Sequence, residues 1–179
     1  MPNIQFEKES PFFEVVLAFL GSLSAKTAIF SYRDETSISK YMTIYLKGKV
    51  VPPIQFNPYI IYKTVKNGLL DESKYVNVMC CMLTNSAYEL VKENKDESPE
   101  FEFFKHIRNA SSHNNKFYFD PRNPKREAYW RDLVIDHNLK GKDNLLYGNA
   151  CFDEYIGPAD LLQLLKDIEC KLIHTTNDD

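Results

Sequence analysis

The residues best suited to chemistry lie in one short stretch, where Arg108, Asn109 and His113 follow a run of aromatic residues. Arginine binds phosphate oxygens through a bidentate fork and stays charged at any working pH. Histidine is the side chain that most readily gives and takes a proton near neutral pH. An arginine and a histidine at this short spacing therefore suit RNA cleavage that needs no metal ion.

The element that must position these residues is a predicted helix from Ser98 to Ser112. Ser98 suits the N-cap, Pro99 suits the first helical position, and Glu100 suits the positive end of the helix dipole. At about 100° per residue, one face of this helix collects Phe103, Phe104, Ile107, Ala110 and Ser111, and the other collects His106, Asn109 and His113. Arg108 lies at the flank of the second face. Three arrangements stay open: the helix ends before His113, the long arginine bends around, or a second copy of the chain completes the site.

Other helices are predicted from apolar periodicity and capping residues, at Pro11 to Tyr32, Glu72 to Asn94 and Pro158 to Ile173. A shorter helix over Ile60 to Val65 is expected to end at Asn67-Gly68. The stretch from Ser37 to Lys47 suits either a helix or a strand, because it is rich in Thr, Ile and Tyr.

Short strand-like runs follow the central helix. They are Lys116 to Phe119, Trp130 to Asp136 and Asn144 to Tyr147. The pattern predicts an all-α helical bundle with a small β-rich arm after the helix that carries Arg108.

Composition limits the classes of protein that fit. With 179 residues, 44% of them hydrophobic, the chain is long enough to form one domain over residues 1–179. The formal charge of −3 excludes a broad basic face for nucleic acid, so any RNA contact must be local. The four cysteines lack paired metal or disulfide spacing, which favours reduced thiols in the cytoplasm. Charged and polar residues interrupt the apolar stretch from Pro11 to Phe30, so membrane spanning is not expected.

The arginine, the polar residue after it, the small spacer Ala110-Ser111-Ser112 and the histidine resemble the Rx4-6H motif of the HEPN superfamily. The strand-like arm and the leucine-rich final helix look like the stand-alone, plasmid-borne bacterial group of that superfamily. The resemblance implies a homodimer that pairs two motifs in one cleft. It also implies an endoribonuclease in which the RNA 2′-hydroxyl attacks the adjacent phosphate, without cofactor or metal.

In the mechanism that the resemblance implies, His113 moves protons, Arg108 stabilises charge on the phosphate, and Asn109 orients His113 or bonds an oxygen. Lys105, His106 and Ser112 are the candidate RNA-binding residues around them. The biological role carried by many such proteins is that of a toxin or antiphage defence effector, with a possible antitoxin or defence partner. Toxins with a nucleotidyltransferase partner usually carry a tyrosine two residues after the histidine. Asn115 stands there in this chain, so a partner of that kind is not expected.

Two other interpretations stay open. A non-catalytic HEPN dimer would bind RNA, a nucleotide or a partner protein through the same cleft. In a purely structural interpretation, the polar face only meets water, the stem of Arg108 packs on its neighbours, and His113 serves as a cation at the helix terminus.

Overall fold

A computed structural model of the chain describes residues 4–31, 42–44, 54–94, 96–122, 126–136 and 138–175. The elements in chain order are α1 (Phe13–Ser31), β1 (Met42–Ile44), β2 (Ile54–Phe56), α2 (Pro58–Lys66), α3 (Glu72–Val91), α4 (Pro99–Ser112), β3 (Ala128–Trp130), β4 (Leu133–Ile135) and α5 (Pro158–Thr175). The described part is mostly helical, which confirms a predominantly α-helical class. The four long predicted helices are confirmed with ends shifted by a few residues, and Tyr32 lies outside the described residues.

The chain divides into two compact units. One comprises Met1–Leu20 with Val76–Asp179, and the other comprises Gly21–Tyr75. The expectation of one domain over residues 1–179 stays a prediction.

The first unit is built around α4. The apolar face of this helix is fully buried at Phe103, Phe104 and Ile107. The Phe103 ring lies 6.1 Å from the ring of Trp130 on β3, and the Phe104 ring lies 5.7 Å from that of Tyr88 on α3. The same core contains buried side chains from α5, namely Leu161, Leu164, Leu165 and Ile168. Because one face of α4 supplies the core, its other face is left for polar residues.

The start of α4 is fixed by the residues that predicted it. The Ser98 hydroxyl accepts a hydrogen bond from the Phe101 N–H at 3.3 Å, and Pro99 is the first helical residue. The helix ends at Ser112, with His113 as its C-cap. Asn114 and Asn115 follow with φ values of 59° and 62°, in the left-handed region that asparagine tolerates better than most residues. This turn sends the chain back along α4.

The β-rich arm is smaller than its prediction. The strands β3 and β4 form an antiparallel hairpin in which Ala128 pairs with Ile135 and Trp130 with Leu133. The predicted strand-like run from Trp130 to Asp136 is confirmed in part: it contains β4 and the end of β3, but Arg131 takes a φ of 55° and turns the chain between the two strands. The indole N–H of Trp130 donates a hydrogen bond to Asp167 Oδ2 at 2.9 Å, which ties the hairpin to α5.

Two other strand predictions are also corrected. Lys116 to Phe119 is extended, but only Lys116 pairs, through a single bridge to Ala150. Asn144 to Tyr147 is a turn, since the Asn144 side chain accepts the Leu146 N–H at 3.0 Å and donates to the carbonyl of Asp136 at 2.9 Å. An asparagine that bonds its own backbone two residues on favours a turn over a strand.

The second unit contains the C-terminal part of α1, the antiparallel pair β1 and β2, helix α2 and the start of α3. Helix α2 ends at Lys66, and Gly68 has a φ of 69°, which confirms the predicted end at Asn67-Gly68. Within Ser37 to Lys47, residues 42–44 form a strand, and the others lie outside the described residues.

One helix in the described part of the chain is long and apolar enough, by length and composition alone, to cross a membrane. Within α1, Phe13–Phe30 has a mean hydropathy of 1.6, and 11% of the segment is buried. Core helices, which are mostly buried, and signal sequences can share this length and composition, and Phe19 of this segment is buried in the first unit. The expectation that the chain does not cross a membrane stays a prediction.

Candidate functional site

The loop that follows α4 holds His113 in place. The Asn115 side chain accepts the Phe152 N–H at 2.8 Å and donates to the Phe152 carbonyl at 3.0 Å. The Lys116 N–H donates to the Ala110 carbonyl at 3.2 Å, which closes the turn onto the last turn of α4. These bonds hold the backbone that follows His113, and α4 holds the backbone that precedes it.

The His113 side chain is exposed. Its ring lies 5.0 Å from the ring of Tyr118, which in turn lies 5.9 Å from the ring of Tyr147. An exposed imidazole on a fixed backbone can exchange protons with solvent and with a bound molecule, as a general acid or base must do.

Arg108 lies against α3. Its guanidinium is 5.1 Å from the Tyr88 ring, donates to Glu89 Oε1 at 3.5 Å and donates to Asn109 Oδ1 at 3.4 Å. These hydrogen bonds are long and therefore weak. Its buried Nε has no hydrogen-bond partner among the described residues. The guanidinium is thus held by an aromatic face and by bonds that a phosphate oxygen can replace.

Glu89 does not depend on Arg108 for a partner. Its Oε2 accepts a hydrogen bond from Lys92 at 2.6 Å, and this bond is the main cause that lowers the pKa of Glu89, with Arg108 adding a smaller effect. The Glu89 carboxylate therefore keeps Lys92 as a partner when the Arg108 guanidinium binds another anion.

Ser112 connects α4 to α3. Its hydroxyl donates to Asn85 Oδ1 at 2.7 Å, and the Asn85 amide donates to the Cys81 carbonyl at 2.9 Å. Ser112 and Arg108 both contact α3, one helical turn apart. The side of α4 next to α3 therefore carries polar contacts, and the Arg108 side chain there is about one third exposed.

Lys105 and His106 belong to a different environment. Lys105 pairs with the buried carboxylate of Glu102 at 3.2 Å, and the His106 side chain, 15% exposed, packs 5.5 Å from the Phe119 ring. Burial lowers the pKa of His106 to about 4, an effect that Glu102 partly opposes and the charges of Lys105 and Lys140 increase. His106 is thus a neutral residue of the protein interior near neutral pH.

The structure brings some of the predicted site residues together and separates others. Arg108, Asn109 and Ser112 lie at the end of α4, while His113 contacts Tyr118 on the returning chain. No hydrogen bond joins Arg108 to His113 among the residues that the structure describes. Of the open arrangements, the helix does end before His113, and the arginine turns toward α3. Completion by a second copy stays a prediction.

Several neighbours of the site were missed from the sequence, namely Asn85, Tyr88, Glu89, Asn115 and Tyr118. Tyr118 carried a usable signal, because in the extended run Phe117-Tyr118-Phe119 successive side chains point to opposite sides. Asn85, Tyr88 and Glu89 on α3 carried no such signal in the sequence, because their proximity to α4 depends on how two helices pack against each other.

Metal-ligating side chains and cysteine thiols are the other groups that could do chemistry. No group of three or more His, Cys, Asp or Glu side chains suited to a metal ion occurs in the described ranges. Burial raises the pKa of the Cys80 thiol to about 12 and also raises the pKa values of Cys81 and Cys151. These thiols are protonated at neutral pH, which makes them poor nucleophiles.

Comparison with models of known protein families, with curated proteins and with solved structures finds no significant match.

Proposed function

We propose that the chain is a metal-independent endoribonuclease of the HEPN type, with Arg108, Asn109 and His113 as its catalytic residues. The observation that supports this most directly is the exposed imidazole of His113 on a backbone held by hydrogen bonds, about one turn beyond an arginine whose hydrogen bonds of 3.4 and 3.5 Å are easily exchanged. A proton carrier and an exchangeable phosphate ligand are the two groups that the reaction needs.

In this reaction the 2′-oxygen of a ribose bonds to the adjacent phosphorus, and the bond from phosphorus to the 5′-oxygen of the next nucleotide breaks. A base removes the proton of the 2′-hydroxyl, and an acid gives a proton to the leaving 5′-oxygen. The products are a 2′,3′-cyclic phosphate and a free 5′-hydroxyl. His113 exchanges these protons, and Arg108 neutralises charge that develops on the phosphate oxygens. Asn109, which accepts a bond from Arg108, orients that guanidinium or bonds a phosphate oxygen itself.

A homodimer completes the site in this proposal. Two histidines are useful because one acts as base while the other acts as acid. Within one chain Arg108 contacts α3 and His113 contacts Tyr118, so a two-fold pairing of the α4 ends would supply the second histidine and a second arginine to one cleft. The proposed protein acts in the cytoplasm on cellular RNA, as a toxin or antiphage defence effector with a possible antitoxin partner.

One observation favours a second candidate function. Arg108 already pairs with Glu89 and stacks on Tyr88, which are contacts that a binding residue makes as readily as a catalytic one. A non-catalytic HEPN dimer would use the same surface to hold RNA, a nucleotide or a protein partner.

The test is cleavage of a generic RNA by purified protein in the presence of EDTA, followed by mapping of the product ends. We expect cyclic phosphate and 5′-hydroxyl ends. We also expect loss of cleavage in His113→Ala with an unchanged melting temperature. A requirement for added magnesium, or products with 5′-phosphate, would overturn the mechanism. Binding of the RNA without cleavage would favour the non-catalytic dimer.

A further inference from the structure

An exposed aromatic side chain lies beside the proposed catalytic histidine. In the extended run after α4, the rings of Phe117 and Phe119 are buried and stack 5.9 Å apart at an angle of 2°. Tyr118, between them, points to the other side of the chain and is 44% exposed. Its ring lies 5.0 Å from the ring of His113.

The backbone around Tyr118 is held from both directions. The Phe117 N–H donates to the Asn149 carbonyl at 3.0 Å, and the Phe117 carbonyl accepts the Gly148 N–H at 2.9 Å. The half-buried Tyr147 supports the Tyr118 ring from one side at 5.9 Å. A large ring that is both exposed and preorganised loses little entropy when a flat ligand stacks on it.

The charge distribution indicates which part of an RNA this surface holds. The formal charge of the chain is −3. Beyond the site, the three arginines in the described ranges are paired: Arg122 with Asp120, Arg126 with Glu97, and Arg131 with Asp167. Attraction to a phosphate backbone is therefore small and local. Stacking on bases is the other main source of affinity for single-stranded nucleic acid, and it depends little on base identity.

We propose that Tyr118 stacks on a base next to the cleaved phosphate and that the substrate is consequently unpaired RNA. In a duplex both faces of each base are covered by neighbouring bases, so this surface has no face to bind. The inference rests on the proposed ribonuclease function and adds the substrate class and a specificity-determining residue.

The experiment compares Tyr118→Leu and Tyr118→Phe with wild-type protein on a short RNA, single-stranded or annealed to its complement. Tyr129→Leu is the matched control, because Tyr129 on β3 is 40% exposed and makes no ring contact with His113 among the described residues. We expect Tyr118→Leu to raise KM about tenfold with little change in kcat. Tyr118→Phe keeps the ring and should have a KM close to that of wild type. We expect the duplex to be cleaved at least about tenfold more slowly than the single strand.

A second measurement separates this inference from the ribonuclease function itself. Single-stranded 2′-O-methyl RNA lacks the attacking hydroxyl, so its binding can be followed by fluorescence anisotropy without cleavage. Weaker binding by Tyr118→Leu alone supports stacking, even if ordinary RNA is not cut. Cleavage that is insensitive to Tyr118→Leu, or equal on duplex and single strand, overturns the stacking and leaves the ribonuclease function standing. A wild-type protein that neither binds nor cleaves single-stranded RNA overturns both.

Discussion

His106 lies within α4, and His113, the C-cap of this helix, follows seven residues later, a spacing close to two full helical turns. Their surroundings are nevertheless opposite. His106 is packed against Phe119 and faces the buried carboxylate of Glu102, whereas His113 is exposed beside Tyr118. Both aromatic neighbours come from the same extended run, which returns along the helix after the turn at Asn114-Asn115.

The difference shows that helical spacing does not decide whether a histidine can react. In the returning chain, the buried Phe119 packs against His106, whereas the exposed Tyr118 contacts His113. Burial then keeps His106 neutral by lowering its pKa, while exposure leaves His113 free to meet a ligand. The two histidines thus provide an internal comparison for every test of the site.

The largest expected effect is on cleavage by His113→Ala. Loss of a general acid or base lowers kcat by about 10² to 10⁴. His106→Ala should lower activity much less, in proportion to any loss of folded protein, because its ring contacts Phe119 rather than the proposed site. Cleavage rates measured beside thermal melting separate the two cases. Equal losses of kcat in both variants, with both proteins folded, would remove the functional distinction between the histidines.

The next effect concerns Arg108, which we expect to matter for cleavage more than for folding. Arg108→Gln should lower kcat/KM by about 10² or more, because a donor to the developing negative charge is lost. The free energy of unfolding should fall by only about 1 kcal/mol, since the residue makes one exposed ion pair, one cation–π contact and one long hydrogen bond to Asn109.

Arg108→Lys is the matched variant. It keeps the positive charge but loses the bidentate fork. A lysine variant with wild-type activity would mean that Arg108 acts as a simple charge, and a large loss of stability in both variants would make the residue structural.

Residues near one another in sequence carried most of what could be predicted. Ser98, Pro99 and Asn67-Gly68 set helix ends through their own backbone preferences, so these ends were foreseeable. The end of α4 before His113 was one of three open arrangements, and the turn at Asn114-Asn115 decided it. The contact of Arg108 with Tyr88 and the burial of His106 were not foreseeable, because each depends on a distant segment packing against α4. The hairpin turn at Arg131 was missed since a non-glycine residue with positive φ leaves little trace in a sequence.

The burial of His106 also predicts how stability varies with pH. Its folded-state pKa of about 4 is below its usual value of 6.5, so between these values the unfolded chain binds more protons than the folded one. The free energy of unfolding therefore has its full value, as far as His106 is concerned, above pH 6.5. It decreases by up to about 3 kcal/mol as the pH falls toward 4.

Denaturant unfolding at several pH values measures this contribution. His106→Leu should show a flatter profile than wild type between pH 4 and 6.5, whatever its absolute stability. A wild-type slope that persists in His106→Leu would assign the pH dependence to other groups and contradict the buried, neutral state of His106.

A further expected effect concerns the turn that separates the two environments. Asn115→Gly keeps the left-handed conformation but removes both hydrogen bonds to Phe152, which should cost about 1 to 3 kcal/mol of unfolding free energy. Asn115→Ala loses the same bonds and adds the strain of a φ near 62°, about 1 kcal/mol more. Denaturant unfolding of the two variants separates side-chain bonding from backbone strain. Because this turn fixes His113, both variants should also reduce kcat, by less than His113→Ala does. If both unfold as wild type does, the position of His113 is set by α4 alone and the turn does not hold it.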